Sequence, residues 1–291
     1  MRELTARTAL VTGGDSGIGL GIAQALCEAG MTVFISGIVD ETLEKAEAEL
    51  NAVGTAAAVR LDVRDRAGFA ALADRIDRQH GGVDVLVNNA GVGFLAPTVD
   101  VAFEQWDWVL DINLTGAFNG IRTFLPRMLA AGRPGHIVTT ASIGGLLGAP
   151  GSAYAAAKAG VVGLMEALAA ELVDTPIGVS ILTPGIVRTN IHNGPPPPGE
   201  VAPHTPGGAA ETDLHAAAMQ PREVGARVVR AILDEQLYVI THAEHGELLR
   251  KRFDVILGCV PDEQPDPRRS EVERMILGSP VYERALRAAG R

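Results

Sequence analysis

Thr8 to Gly30 reads TALVTGGDSGIGLGIAQALCEAG. Thr8 to Thr12 is a short apolar run of strand character. From about Leu20 to Ala29 the pattern is helical, and Gly30 stops it. Gly13, Gly14, Asp15, Ser16, Gly17, Ile18 and Gly19 lie between. Strand, glycine-rich turn and helix form a phosphate-binding arrangement. The glycines admit a close pyrophosphate, and the helix start offers open N–H groups and a positive dipole end. The spacing is Gly-x-x-x-Gly-x-Gly rather than Gly-x-Gly-x-x-Gly. A glycine-rich turn is weak evidence alone and stronger in this setting.

The same alternation continues outward. Strands are predicted at Thr32–Ser36, Ala56–Leu61, Val83–Val87, Gly135–Thr140, Ile177–Leu182 and Leu237–Thr241. Helices are predicted at Asp40–Val53, Asp65–Gln79, about Phe103–Ala130, up to about Val173 after Tyr154, and Arg222–Asp234. The strands are mostly continuous apolar runs, as in a parallel sheet covered on both faces. The expected fold is α/β, a doubly wound parallel sheet in a single domain over residues 1–291. Its core spans about 8–241. Residues of about 190–220, with Pro195 to Pro198, form a Pro- and Gly-rich stretch read as a substrate lid. Residues of about 244–291 form a helical, charged extension with a break at Pro261 to Pro267.

In such sheets ligands bind at the carboxyl ends of the strands. Gly13, Asp62, Asn89, Ser142 and Pro184 all fall there. So does the stretch from Ala141 to Gly163, ASIGGLLGAPGSAYAAAKAGVVG. Tyr154 and Lys158 are four apart in Ala-rich helix, on one face. A Lys cation beside a phenol is expected to lower its pKa, and such a Tyr can exchange a proton with an alcohol or carbonyl oxygen. Ser142, upstream in a glycine-rich loop, can hold that oxygen. Tyr-x-x-x-Lys by itself also occurs by chance in buried helices, so its position decides.

The formal net charge is −10. That argues against non-specific nucleic-acid binding, which needs a basic face, and against docking on an anionic membrane. Two cysteines, Cys27 and Cys259, have no metal-ligand spacing. Cys27 reads as a core residue, and a reduced cytoplasmic setting fits. No signal peptide and no apolar run of membrane-span length is read from the sequence.

The chain resembles the short-chain dehydrogenase/reductase family over about Thr8 to Thr241. The matching motifs are Thr12-Gly13-x-x-x-Gly17-Ile18-Gly19, Asp62-Val63, Asn88-Asn89-Ala90-Gly91, Asn113, Ser142, Tyr154-x-x-x-Lys158 and Pro184-Gly185. The resemblance implies a Rossmann-type fold, a nicotinamide cofactor and hydride transfer at an alcohol or ketone carbon. It implies Tyr154 as general acid/base, Lys158 on the nicotinamide ribose, Ser142 on the substrate oxygen and Asn113 anchoring a water that relays protons to Lys158. It places Asp62 and Val63 at the adenine, Asn89 on the adenosine ribose side, Ala90 and Gly91 among the cofactor-binding residues, and Pro184, Gly185, Val187 and Thr189 at the carboxamide. It also implies homo-oligomers, dimers or tetramers, with Ala155, Ala156, Ala159 and Gly163 as a small-residue face that packs either between subunits or within one. Residues of 105–108, 119–121, 189–192 and 237–242 are similar to a bacterial subgroup that includes Cα-dehydrogenases of lignin-derived aryl ethers.

The chain departs from the pattern where the second strand chooses between NAD and NADP. An acid there favours NAD and a base beside it favours NADP. Here Ser36-Gly37-Ile38 carries neither. Gly37 leaves room for a phosphate and Ser36 can donate to it, whereas Asp15 opposes it. Asp40 either caps the next helix or reaches the ribose. The expectation is weak discrimination, below about a hundredfold or roughly 2.7 kcal/mol, leaning to NADP. The substrate is a small molecule, bulky and apolar, contacted by Phe94, Ile143, Ile191 and His192. The alternative is a catalytically silent cofactor-binding scaffold. The joint presence of Asn113, Ser142, Tyr154 and Lys158 argues against it.

Overall fold

The structure is a computed structural model and describes residues 1, 3–189, 191, 196–199, 217–288 and 290. Most of the lid stretch, including His192, lies outside the described residues.

Seven strands form one parallel sheet in the order β3-β2-β1-β4-β5-β6-β7. They are β1 Thr8–Thr12, β2 Thr32–Gly37, β3 Thr55–Arg60, β4 Val85–Asn88, β5 Gly135–Thr140, β6 Ile177–Thr183 and β7 Tyr238–Ile240. The order reverses between β1 and β4, which pair in register Ala9 to Val85 through Val11 to Val87. That reversal opens a crevice at the carboxyl edge, where such sheets bind ligands.

Side chains alternate across each strand. Val11, Ile35, Val87, Val138 and Leu182 face one layer, with α1 (Gly17–Glu28), α2 (Asp40–Asn51) and α7 (Pro221–Asp234) packed on them through Ile22, Leu26, Leu43, Leu50, Val224 and Val228. Leu10, Phe34, Leu86, Ile137 and Ile181 face the other. There they meet α3 (Arg66–His80), α5 (Gly116–Ala131) and α6 (Ser152–Glu171) through Phe69, Ile76, Phe124, Val161 and Met165. Continuous apolar strands are what two covered faces require. Cys27 is buried as expected, and burial pushes its thiol up to about 11.

The sequence differs from the structure at several boundaries. The helix expected from Phe103 to Ala130 is two helices, α4 (Phe103–Leu110) and α5, joined by a π turn at Asp111–Thr115 that contains Asn113. Asp40 is not a cap: Val39 holds that position, and the Asp40 carboxylate pairs with Arg60 at 2.9 Å. Asp62, three residues before the cap position of α3, does not cap that helix. Asp65 does, accepting from the Gly68 amide at 2.9 Å. Helix α6 is, by length and composition, apolar enough to cross a membrane, because Ala, Val and Leu dominate it. It packs along the sheet instead, with Lys158 buried.

The extension forms α8 (His245–Gly258), α9 (Pro267–Leu277) and α10 (Val281–Ala288), with the expected break between α8 and α9. Tyr238 and Tyr282 both donate to Glu166 on α6, which ties α10 to the main body.

Candidate active site

The glycine-rich turn between β1 and α1 is tightly folded. Gly13 has φ +60°, and a Cβ on it would lie 2.9 Å from the Ala90 Cα. A Cβ on Gly19 would lie 2.0 Å from the Gly13 carbonyl oxygen. Only glycine fits both places. Ser16 stands at the helix cap without using its side chain as a cap, and no acid occupies the first turn of α1. The amides of Gly17, Ile18 and Gly19 have no acceptor among the described residues. An anion is the partner this helix start suits. Thr189 closes on the turn, its Cγ2 lying 3.1 Å from where a Gly17 Cβ would be.

Asn89 ties β1, β4 and β5 together. Its Nδ2 donates to the carbonyls of Thr12 and Gly13, both at 3.2 Å, and its Oδ1 accepts from the Thr140 hydroxyl at 3.1 Å. The Thr12 hydroxyl accepts from the amides of Asn89 and Ala90 at 2.9 and 3.1 Å. Sequence reading assigns neither Thr12 nor Thr140 a role at the site. Their signal is a polar β-branched residue closing an apolar strand.

Asn113 is 2% exposed, and both ends of its amide bind Val92. Oδ1 accepts from the Val92 amide and Nδ2 donates to the Val92 carbonyl, each at 3.1 Å. A Cβ on Gly91 would lie 2.5 Å from Asn113 Oδ1 and 3.4 Å from Lys158 Nζ, so these three residues adjoin.

Lys158 is 3% exposed, and its Nζ donates to the Thr140 carbonyl at 2.9 Å. Nζ also lies 5.7 Å from the centroid of the Tyr154 ring. Ser142 begins the short turn Ile143–Gly145 and accepts from the Gly144 amide at 3.1 Å. That turn packs on α6, where a Cβ on Gly145 would strike the Lys158 backbone at 2.6 Å. Ser142, Tyr154 and Lys158 are thereby brought together. The expected depression of the Tyr154 pKa is absent. Burial raises the phenol above its ordinary value, and the Ser142 side chain pulls the other way. Burial also brings the Lys158 ammonium down to about 8. The ammonium sits over the ring and donates to the Thr140 carbonyl.

At the end of β2 the expected room for a phosphate is filled. A Cβ on Gly37 would lie 2.7 Å from Asp15 Oδ1. Ser36 is fully buried, and its hydroxyl has no partner among the described residues, so it is not at the surface to donate. Ile38 is exposed. Asp62, just beyond β3, is engaged by Arg64, which holds its carboxyl below the usual range. Val63 is buried, and its carbonyl accepts from Asn119 at 3.0 Å.

On the far side of the groove, the Gly185 amide donates to the Thr241 hydroxyl at 3.2 Å. Val187 bridges to Met219. His242 and His245 stack behind Gly185 with ring centroids 5.2 Å apart. Sequence reading places neither histidine at the site. Phe94 does not line the groove as expected: it is buried against Val109, Ala153 and Ala157. Its neighbour Leu95 is exposed instead. Ile143 is partly buried against the core, and Ile191 is partly exposed.

The profile of the short chain dehydrogenase family matches residues 7–195. The C alpha-dehydrogenase of Sphingobium sp. strain SYK-6 is 35% identical over 291 residues, covering 95% of this chain and 94% of that protein. Among solved structures, a short chain dehydrogenase/reductase of Burkholderia phymatum in complex with NAD superposes with TM-score 0.82 at 31% identity. That match covers 91% of this chain and all of the other. A single-residue variant of actinorhodin polyketide ketoreductase with NADPH gives TM-score 0.70 at 34% identity, over 80% of this chain and 92% of the other. A parallel sheet reversed at β1 and β4, a glycine turn open to an anion and a match over most of the chain agree: this protein belongs to the short chain dehydrogenase family of oxidoreductases.

Proposed function

We propose that this chain is an NAD(P)-dependent oxidoreductase that moves a hydride between nicotinamide and a secondary alcohol or ketone. The observation that carries the reading is Tyr154 set against Ser142 and Lys158, on the same carboxyl edge of the sheet as a helix start whose amides are open. That helix start and the glycine cradle fit a dinucleotide. The nicotinamide supplies the hydride acceptor or donor.

Tyr154 holds the moving proton at its hydroxyl oxygen. As phenolate it takes the proton from an alcohol, and as phenol it gives the proton to a ketone oxygen. Ser142 fixes that substrate oxygen. Lys158 binds the nicotinamide ribose, and its buried ammonium supports negative charge on the phenol. Asn113 has both side-chain atoms committed to Val92, so its backbone carbonyl is the group left to hold a relay water. Gly13 to Gly19 hold the pyrophosphate, Asp62 and Val63 border the adenine, and Asn89 braces the wall beside the adenosine ribose. Pro184, Gly185, Val187 and Thr189 receive the carboxamide.

The substrate is bulky and apolar. Leu95 and Ile186 are exposed, and each belongs to a segment that borders the groove. The similarity to a C alpha-dehydrogenase supports an aryl carbinol. Ala156, Ala159 and Gly163 are exposed on α6, which supports a homo-oligomer built across that helix rather than packing within the chain. The test is a panel of secondary alcohols and ketones with NAD and NADP, followed by nicotinamide absorbance. Turnover of aryl or steroid-like carbinols and none of sugars is expected. A protein that binds dinucleotide yet reduces it with no alcohol would sink the reading.

A further inference from the structure

Asp15 and Gly37 lie on different segments but share one place. Were residue 37 to carry a side chain, its Cβ would lie 2.7 Å from Asp15 Oδ1, 2.8 Å from Cγ and 3.0 Å from Oδ2. The Asp15 carboxylate thus stands where an acid at the end of β2 would begin. It is also held there. Thr42, in the first turn of α2, donates to Asp15 Oδ2 at 2.6 Å. Oδ1 has no donor among the described residues.

The neighbouring cations are taken. Arg60 is paired with Asp40 at 2.9 Å and Arg64 with Asp62 at 2.6 Å. Neither reaches Asp15, which has no ion-pair partner among the described residues. Ser36, the other polar side chain at this strand end, is sealed in the core. The end of β2 therefore presents one carboxylate oxygen and an uncompensated negative charge. That pair of properties accepts from a vicinal diol and disfavours a phosphate dianion.

We propose that Asp15, carried on the glycine-rich turn, chooses the cofactor: it accepts from the 2′-hydroxyl of the adenosine ribose and repels a 2′-phosphate. The chain then takes NAD in preference to NADP, opposite to the leaning that Gly37 suggests in the sequence. The inference rests on the dinucleotide-binding reading above.

The test is calorimetric titration of the intact protein with NADH and with NADPH at fixed salt. Wild type is expected to bind NADH tighter by roughly a hundredfold. Asp15→Asn keeps the shape and removes the charge, and is expected to lower that ratio at least about tenfold, mainly by gaining affinity for NADPH. Thr42→Val frees the carboxylate without removing it and gives a smaller fall, which keeps the test open if Asp15→Asn does not fold. Equal or tighter binding of NADPH by wild type overturns the inference and leaves the oxidoreductase reading intact. A ratio unmoved in both variants also overturns it. Binding of neither nucleotide by folded wild type overturns both.

Discussion

The two ends of the groove are built on different terms. At the β5–α6 end, Lys158 and Asn113 are buried and each polar atom meets a backbone partner, Thr140 for one and Val92 for the other. At the β2 end, Ser36 is buried, but Asp15, Asp40 and Thr42 are partly or largely exposed, and Asp15 is steadied by a single hydroxyl. Placing a proton-transfer atom requires a fixed position, and a surrounding core fixes it. Choosing between a hydroxyl and a phosphate requires a charge of one sign, which any loop that reaches the place can supply. Residue identity is therefore constrained at the first end, and only net charge at the second.

That contrast can be broken by substitution. The largest effect belongs to Tyr154→Phe, which should lower turnover by roughly a thousandfold while leaving dinucleotide affinity within about twofold. Full turnover in this variant would remove Tyr154 from the chemistry. Next, Asn113→Ala strands the amide and carbonyl of buried Val92 and should cost about 2–3 kcal/mol in urea unfolding. Asn113→Asp should be worse, since an acceptor would then face the Val92 carbonyl. A loss below about 0.5 kcal/mol would show that this end is less constrained than its hydrogen bonds imply.

The third prediction uses the opposite edge of the sheet as a control. His136 on β5 is fully buried beside Ser180, and burial drives its pKa down to about 3. The folded chain keeps it neutral, whereas the unfolded chain takes up a proton below about 6.5. Its stability contribution is complete above that pH and falls on acidification towards 3. The loss should reach about 2 kcal/mol at pH 5, before most carboxylates titrate. Urea midpoints at pH 7 and pH 5 check this, and a flat response would contradict the burial. Acid loss of activity must be corrected for it before any is assigned to Tyr154 or Lys158.

The smallest effect tests the exposed end. Gly37→Asp places a second acid against Asp15 and should weaken NADH binding about tenfold. Asp15→Gly in the same chain should restore it to within about threefold, because the charge has only changed carriers. Failure of the double variant to recover would mean that position matters as much as sign.

Much of the fold was legible because each feature had a local cause. The Thr8–Gly30 stretch carries its strand, turn and helix in consecutive residues, and the apolar strands announce a sheet covered on both faces. Ser142, Tyr154, Lys158 and Asn113 were legible as a set because the strand ends gather them. The parts missed depend on distances between segments. Asp62 and Asp65 both precede α3, and only the reach to the Gly68 amide makes Asp65 the cap. The π turn carries no glycine or proline to announce it. Phe94, expected at the substrate, is buried while its neighbour Leu95 is exposed, because the turn of the loop and not hydrophobicity decides which faces inward. That Asp15 opposes a phosphate at Gly37 was legible, but the carboxylate lying directly over Gly37 was not, because that distance joins two segments.

The π turn at Asp111–Thr115 makes chain length a variable of the site. Such a turn holds one residue more than ordinary α pitch needs. Removing one would let the segment relax into a continuous helix, with α5 still docked on the sheet. It would also swing the intervening side chains by about 100° around the axis. Asn113 would then leave Val92 with no amino acid having been exchanged for another. Insertions and deletions, which substitution scans do not sample, are the changes to which this corner of the protein is most exposed.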